Sequence, residues 1–344
     1  MSNADNGLVD LLRENKELWE LYTRREEYEP ERLDEHGRFA SYMSRNGGVG
    51  EPKVSKFLLD KGMRVEYPGG EEFAVCLTHD IDLLKPHSVR NLRIPRLART
   101  GLGAVSTKFR AAWGFRQIIE LERDFGAKST FFFMAVDRTD EDFNYGIIEL
   151  EDDVRGILDD GWDVGLHGGR GACSNIDQLR NEKSRLEKVT GRKVTGYRNH
   201  YMRLNVPLTW RILVDAGFEY DSTLGYADVV GFRNGMCHPF RPFDLERKKH
   251  LDLLEFPLVV MDTTLYSYLQ LDTAKAWEAT KDMIDRVATM RGVFTLLWHN
   301  TYMSGDRLAL YRKIMEYCHS RGAWMTSAEE ICRWWQSHDF FGTG

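Results

Sequence analysis

Two aspartates, Asp80 and Asp82, follow the apolar run Phe73-Ala74-Val75-Cys76-Leu77 at a spacing of i, i+2. In a strand successive side chains alternate faces, so both carboxylates would leave the same side of the chain at the strand's end. Two charges there need a partner, and a metal ion, an arginine or a substrate proton would serve. An acidic surface loop is the plain alternative. The pattern returns further along: His167, Arg198 with His200, Asp262 and His299 each stand at or just past the end of an apolar or β-branched run. Carboxylates, imidazoles and a guanidinium gathered this way are the material of acid–base and metal chemistry.

The elements that must position these residues can be read from hydrophobic periodicity. Strand candidates cover residues 73–78, 129–136, 163–167, 194–198, 254–261, 293–298 and 323–327. Amphipathic helices are predicted over 115–125, 149–159, 176–189, 207–216, 273–290, 306–321 and 328–336. Alternating βα units imply a mostly parallel sheet, open or closed as a barrel, and in a parallel barrel the active site is built at the C-terminal ends of the strands. The polar residues above would then share one rim. Gly168-Gly169-Arg170-Gly171 is the nearest approach to a phosphate-binding loop, and alone it is a weak signal.

Composition narrows the classes of function. The 344 residues carry 42% hydrophobic and 29% charged side chains, an ordinary globular balance, enough for one large α/β barrel or two modest domains. A net charge of -6 gives no global attraction to nucleic acid, so no nucleic-acid partner is expected. The five cysteines, Cys76, Cys173, Cys237, Cys318 and Cys332, are scattered and never spaced CxxC. That argues against a disulfide framework or a zinc knuckle and fits a reducing cytosol. The first residues are acidic where a leader would be basic and apolar, and no apolar run nears the ~20 residues of a membrane span. The expectation is a cytoplasmic protein with no transmembrane segment.

Taken in order, the Asp80/Asp82 motif, Gly165-Leu166-His167, Arg198-Asn199-His200-Tyr201 and Leu296-Leu297-Trp298-His299 make residues 72–335 resemble the NodB-homology polysaccharide deacetylases, carbohydrate esterase family 4. The resemblance implies a distorted (β/α)7-type barrel within the α/β class. It also implies a divalent metal, most often Zn2+, that assists removal of an N-acetyl group from an amino sugar. Carried onto this chain, it makes Asp80 the general base, Asp82 and His167 metal ligands, and Arg198 the group that orients the base. The backbone N–H of Tyr201 becomes an oxyanion donor and His299 the general acid.

Two departures stand out. The family's adjacent aspartates are split here by Ile81, and the second histidine of its His-x-x-x-His motif is Gly171. A catalytic zinc normally takes three protein ligands. Without that histidine another residue supplies the third ligand, the metal is held weakly with extra waters, or the site works without metal. His200, two residues past Arg198 where the family has proline, is the candidate third ligand; otherwise it bonds substrate or loop backbone. His299 must be cationic to protonate a leaving amine, which a nearby carboxylate favours. Asp262 is the first candidate for that carboxylate and Asp221 the second, the latter equally suited to a turn.

The expected activity is hydrolysis of an N-acyl amino sugar, small or linked to a nucleotide or other carrier, in glycan biosynthesis. The alternatives are an allantoinase-like hydrolase of a non-sugar C–N amide bond and a catalytically inactive carbohydrate-binding relative. A basic insertion at 83–108 carries Lys85, Arg90, Arg93, Arg96, Arg99 and Lys108 with no acid. It could grip a phosphate-bearing sugar or an anionic membrane, or be a solvated loop. Arg233, within 229–235, is a second candidate anion contact, and Trp298 a candidate wall of a sugar pocket. Residues 1–70 read as a helical extension, with apolar positions from Leu8 to Tyr22 at helical spacing and a break at 47–52. It would pack on the barrel at 71–338 or on a second copy of the chain, giving a homo-oligomer.

Overall fold

The nine residues from Phe73 to Ile81 are all buried, as the central strand of a parallel sheet covered on both faces should be. The computed structural model describes residues 10–84, 114–338 and 340. In it this strand, β1 (Phe73–Ile81), is followed by β2 (Thr130–Met134), β3 (Asp163–Gly168), β4 (Gly196–Asn199) and β5 (Tyr220–Asp221). A small antiparallel hairpin, β6 (Phe243–Asp244) and β7 (Lys249–His250), comes next. Then follow β8 (Leu254–Glu255), β9 (Leu258–Met261), β10 (Val293–Leu297) and β11 (Ala323–Thr326).

Apart from the hairpin, the strands form one parallel sheet in the order β8-β5-β4-β3-β2-β1-β10-β9. Two strands share one side of β1: β11 pairs with its first half, Phe73↔Ala323 to Cys76↔Thr326, and β2 with its second, Thr78↔Thr130 to Ile81↔Phe133. The sheet's two end strands, β8 and β9, are neighbours in sequence, separated only by Phe256 and Pro257. The expected single strand over 254–261 is broken there because proline has no N–H to give a ladder. β8 pairs with β5 and β9 with β10. The result is an α/β fold, a curled, open parallel half-barrel flanked by helices, of the distorted (β/α)7 type.

The helices Phe115–Arg123, Glu151–Asp159, Ile176–Thr190, Leu208–Asp215, Thr273–Thr289, Gly305–Ser320 and Ala328–Gln336 fall where periodicity puts them. Several start on side-chain caps: Asn175 accepts from the Asp177 and Gln178 N–H groups, Asp272 from Lys275 and Ser327 from Glu330. Elements not foreseen include the helix Lys53–Asp60, the two-residue strand β5, the β6–β7 hairpin and the short helix Thr264–Tyr268.

The N-terminal segment packs against the barrel. Its helix Lys16–Thr23 is capped by Asn15 and ends at Arg24 in the left-handed region. Leu12, Leu18, Leu21 and Tyr22 join the same buried cluster as β1 and β10, each large apolar side chain contributing ~1.5–3 kcal/mol. That face of the helix is used within the chain. Arg24 and Arg233 are both buried and both bond Glu27, at 2.7 Å from Arg24 Nε and 2.5 Å from Arg233 Nη2. Arg233 is therefore a structural ion pair, and the expectation of an anion contact there is withdrawn. Trp298 is likewise fully buried beside Tyr311 and walls no pocket. The basic residues Lys85 to Lys108 lie outside the described residues. Among the described residues no helix is long and apolar enough to cross a membrane.

Candidate metal centre

Parallel register aligns the strand ends. Met134 of β2 stands opposite His167 of β3, and His167 opposite Arg198 of β4. β1 runs past its expected end to Ile81, so Asp80 lies within the strand and Asp82 just beyond it. Both aspartates face His167, whose Nε2 is 3.7 Å from Asp80 Oδ2 and 3.0 Å from Asp82 Oδ1. Alternation thus puts the two carboxylates on one side, as expected.

Arg198 fixes the first. It is fully buried, with Cζ 4.7 Å from the Phe132 ring centroid. Its Nη1 donates to Asp80 Oδ1 at 3.0 Å and Thr78 Oγ1 at 2.8 Å; its Nε and Nη2 donate to the Ser222 carbonyl and hydroxyl at 2.9 and 2.8 Å. A guanidinium held at four points leaves the Asp80 carboxylate little freedom.

His200 supplies what the spacing around His167 lacks. It follows β4 directly, and its Nε2 lies 3.8 Å from Asp82 Oδ2. One ligand atom from each of Asp82, His167 and His200 falls within 4.8 Å of the others. The expectation that the site is short of a second histidine is therefore corrected: both His167 and His200 are in place. Gly171 occupies a tight turn, where a Cβ would stand 2.5 Å from Gln178 Oε1. Gln178 in turn bonds Glu182 and Asp140. The glycines of this turn answer to packing: a Cβ on Gly169 would meet Val136 Cγ1 at 2.6 Å.

The two imidazoles are oriented for a cation. His167 Nδ1 lies 3.1 Å from the Arg198 carbonyl, which can only accept, so Nδ1 carries the proton and Nε2 is turned to Asp82. His200 Nδ1 lies 3.1 Å from Asp142 Oδ2, leaving its Nε2 toward Asp82 as well. A carboxylate or carbonyl behind each histidine is the usual outer shell of a metal site, and two imidazole nitrogens with one carboxylate oxygen suit zinc. Burial opposes the charge on Asp82, yet His200, then His167 and His299, hold its carboxyl well below the usual range. Burial likewise opposes the His167 cation, while Asp80 and Asp82 raise its pKa. Three imidazoles thus converge on one carboxylate, the place a divalent ion would take.

Asp142 was not foreseen. It is buried in the loop after β2, receives the Arg170 N–H at 2.6 Å and backs His200. Its only signal in the sequence is the acidic triplet Asp140-Glu141-Asp142, where nothing local marks which side chain turns inward.

On the other flank, Asp262 and His299 meet as expected. Asp262 is fully buried, with Oδ1 2.6 Å from His299 Nδ1 and Oδ2 accepting the His299 backbone N–H at 2.6 Å. His299 Nε2 points back to Asp82 Oδ2 at 3.5 Å. Burial works against its charge, but Asp262, aided by Asp82, lifts the imidazole well above its ordinary pKa. Asp221 has no part in this pair. Its Oδ1 accepts from Thr223 N–H and Oγ1, a turn arrangement, and burial raises both its own pKa and that of its neighbour Glu255. Tyr201, the remaining expected site residue, follows His200 with φ 60° and ψ 12°, and its ring stacks on the His200 ring at 3.9 Å.

No family model and no curated protein matches the sequence. Solved structures do match the fold. A candidate polysaccharide deacetylase from Mycobacterium smegmatis superposes with a TM-score of 0.57 at 21% identity, over 80% of this chain and 94% of that one. A probable polysaccharide deacetylase from Pseudomonas aeruginosa PAO1 gives 0.56 at 16% identity, over 80% and 95%. At these identities the likeness is one of fold.

Proposed function

We infer that this protein is a metal-dependent hydrolase that removes an N-acyl group, most simply acetyl, from an amino sugar. The observation that carries the reading is one rim holding three distinct devices. Asp82, His167 and His200 form a ligand set; Asp80 is clamped by Arg198 beside it; and His299 is kept cationic by Asp262 on the opposite flank. The fold shared with the two deacetylase structures is in keeping with it.

Asp82, His167 and His200 would hold the ion, with Zn2+ the best match to the donor set. When bound, it would supply Lewis-acid polarisation of the acyl carbonyl and lower the pKa of a water. Asp80, oriented by Arg198, takes the proton from the attacking water. The Tyr201 N–H, beside His200 on the rim, donates to the carbonyl oxygen as it gains negative charge. His299 Nε2–H gives its proton to the departing nitrogen, while Asp262 keeps Nδ1 protonated. A non-catalytic binding protein would have no use for a buried base, its orienting arginine and a carboxylate-backed cationic histidine in one place.

The test is acetate release by zinc-loaded protein from nucleotide-linked N-acetyl sugars and from short N-acetylated oligosaccharides, with Asp80→Asn as control. Release that Asp80→Asn abolishes supports the reading. Release undiminished in Asp80→Asn refutes the assignment of the base, and no release from any N-acyl sugar by the zinc-loaded parent refutes the substrate class.

A further inference from the structure

The N-terminal segment reaches the rim of the site. Residues 34–38 form a tight turn: Asp34 Oδ1 accepts the His36 and Arg38 N–H groups at 2.9 and 2.8 Å, and the Asp34 N–H bonds the Arg38 carbonyl at 2.9 Å. Gly37, at φ 75°, sits against the Arg203 guanidinium, where a Cβ would be 3.0 Å from Nη2. The turn presents two side chains to the site. The His36 ring lies parallel to the Tyr201 ring, with centroids 5.1 Å apart and planes at 8°. Arg38 donates from Nη2 to the Tyr268 hydroxyl at 2.9 Å and from Nη1 to the Tyr201 carbonyl at 3.4 Å, while its Nε bonds Asp34 at 2.8 Å.

These contacts fall on a strained point. Tyr201 and Met202 are consecutive non-glycine residues in the left-handed region, at φ 60° and 58°. Such conformations persist only where surrounding structure enforces them. Tyr201 is gripped by its ring, in the run His36–Tyr201–His200, and by its carbonyl. Tyr268 belongs to the short helix Thr264–Tyr268 that follows Asp262. Arg38 therefore bridges the loop bearing His200 to the loop that follows the His299 partner.

We propose that the 34–38 turn is a positioning element of the metal centre: His36 and Arg38 hold Tyr201, and through it the His200 ring, in the ligating position. This rests on reading Asp82, His167 and His200 as the metal ligands. His36 and Arg38 stand outside the ligand set, and both act through Tyr201. The N-terminal segment is then part of the working site, and metal binding draws on residues more than 160 positions upstream of the ligand they support.

The test is Zn2+ affinity of the full chain, prepared metal-free and titrated against a chromogenic chelator, which needs no substrate. His36→Ala should weaken binding ~10-fold, the usual scale for an outer support of a ligand. His36→Phe, which keeps the stack and loses the imidazole, should return the affinity to within ~3-fold of the parent, on the same scale. Arg38→Ala should fall on the side of His36→Ala. His36 is partly exposed, and a parental far-UV spectrum and melting temperature in His36→Ala separate local loosening from unfolding. His36→Ala binding Zn2+ as the parent does, while His200→Ala loses it, overturns the positioning role and leaves the ligand set standing. His36→Phe no better than His36→Ala overturns the stacking argument. His200→Ala with parental affinity overturns the ligand set itself.

Discussion

Replacing Asp142 should weaken the metal site in graded steps. Its Oδ2 is 3.1 Å from His200 Nδ1 and also accepts the Arg170 N–H at 2.6 Å, in a buried position. With a metal on Nε2, His200 would carry its proton on Nδ1, facing the Asp142 carboxylate across the present ion-pair contact and free to donate to it. Asp142→Asn keeps an acceptor but removes the charge. A hydrogen bond to a charged group contributes ~1.5–3 kcal/mol and a neutral one ~0.5–1.5, so the loss is ~1–1.5 kcal/mol, or roughly tenfold in affinity. Asp142→Ala removes the acceptor altogether and leaves the Arg170 N–H without it, so the loss should approach ~100-fold. Competition with a chromogenic chelator at fixed pH reads both values, with His167→Ala as the control for a lost ligand. Parental affinity in Asp142→Ala, alongside lost binding in His200→Ala, would refute the claim that the Asp142 carboxylate supports the ligand.

Three further outcomes follow from the same geometry. Asp80→Asn should lower turnover by ~100-fold or more, the scale of lost acid–base catalysis, with thermal stability and Zn2+ affinity near parental; turnover, melting and chelator competition check this together. His299 has its pKa raised against burial mainly by Asp262, and it must be protonated to act, so activity falls as pH rises through its folded pKa. Asp262→Asn removes the raising charge, and the alkaline limb of kcat against pH should move to lower pH; an unmoved limb would count against His299 as the acid. Glu27 is buried between Arg24 and Arg233, which outweigh its burial and lower its pKa. Its contribution is present above the unfolded carboxyl pKa of ~4.3 and is lost as pH falls through the lower folded value. Glu27→Gln should cost ~3–5 kcal/mol at pH 7 and flatten that acid-side dependence, both readable by urea unfolding at several pH values.

What was legible in the sequence is what depends on local period. The apolar run after Glu72, the alternation that sets Asp80 and Asp82 on one side, and the βα rhythm that aligns His167, Arg198, Asp262 and His299 on one rim all follow from side-chain direction over a few residues. The features missed depend on contacts between distant parts of the chain. β5 is two residues long and exists because Tyr220 and Asp221 fill a place between β4 and β8. Asp142 looks like any acid in a loop until His200 arrives beside it. Arg233 and Trp298, read from their neighbours in sequence, point to a ligand; in the fold one is consumed by Glu27 and the other by the core.

The candidate ligand set makes the same point at the scale of chemistry. A motif with two histidines four residues apart is a statement about one turn, and in that turn position 171 has no room for a side chain unless Gln178 moves. Register across the sheet makes a second offer. His167 and Arg198 are opposite each other on adjacent strands, and residue 200, two beyond Arg198, emerges just past the end of the neighbouring strand. The histidine there faces Asp82, at Nε2–Oδ2 3.8 Å, and its support comes from other elements. It is backed by Asp142 from the loop after β2 and stacked on Tyr201, which the N-terminal turn holds. A ligand placed this way gives up the rigidity of a shared turn. It gains dependence on three separate segments, so loosening any one of them should register first as weaker metal binding and only later as lost stability.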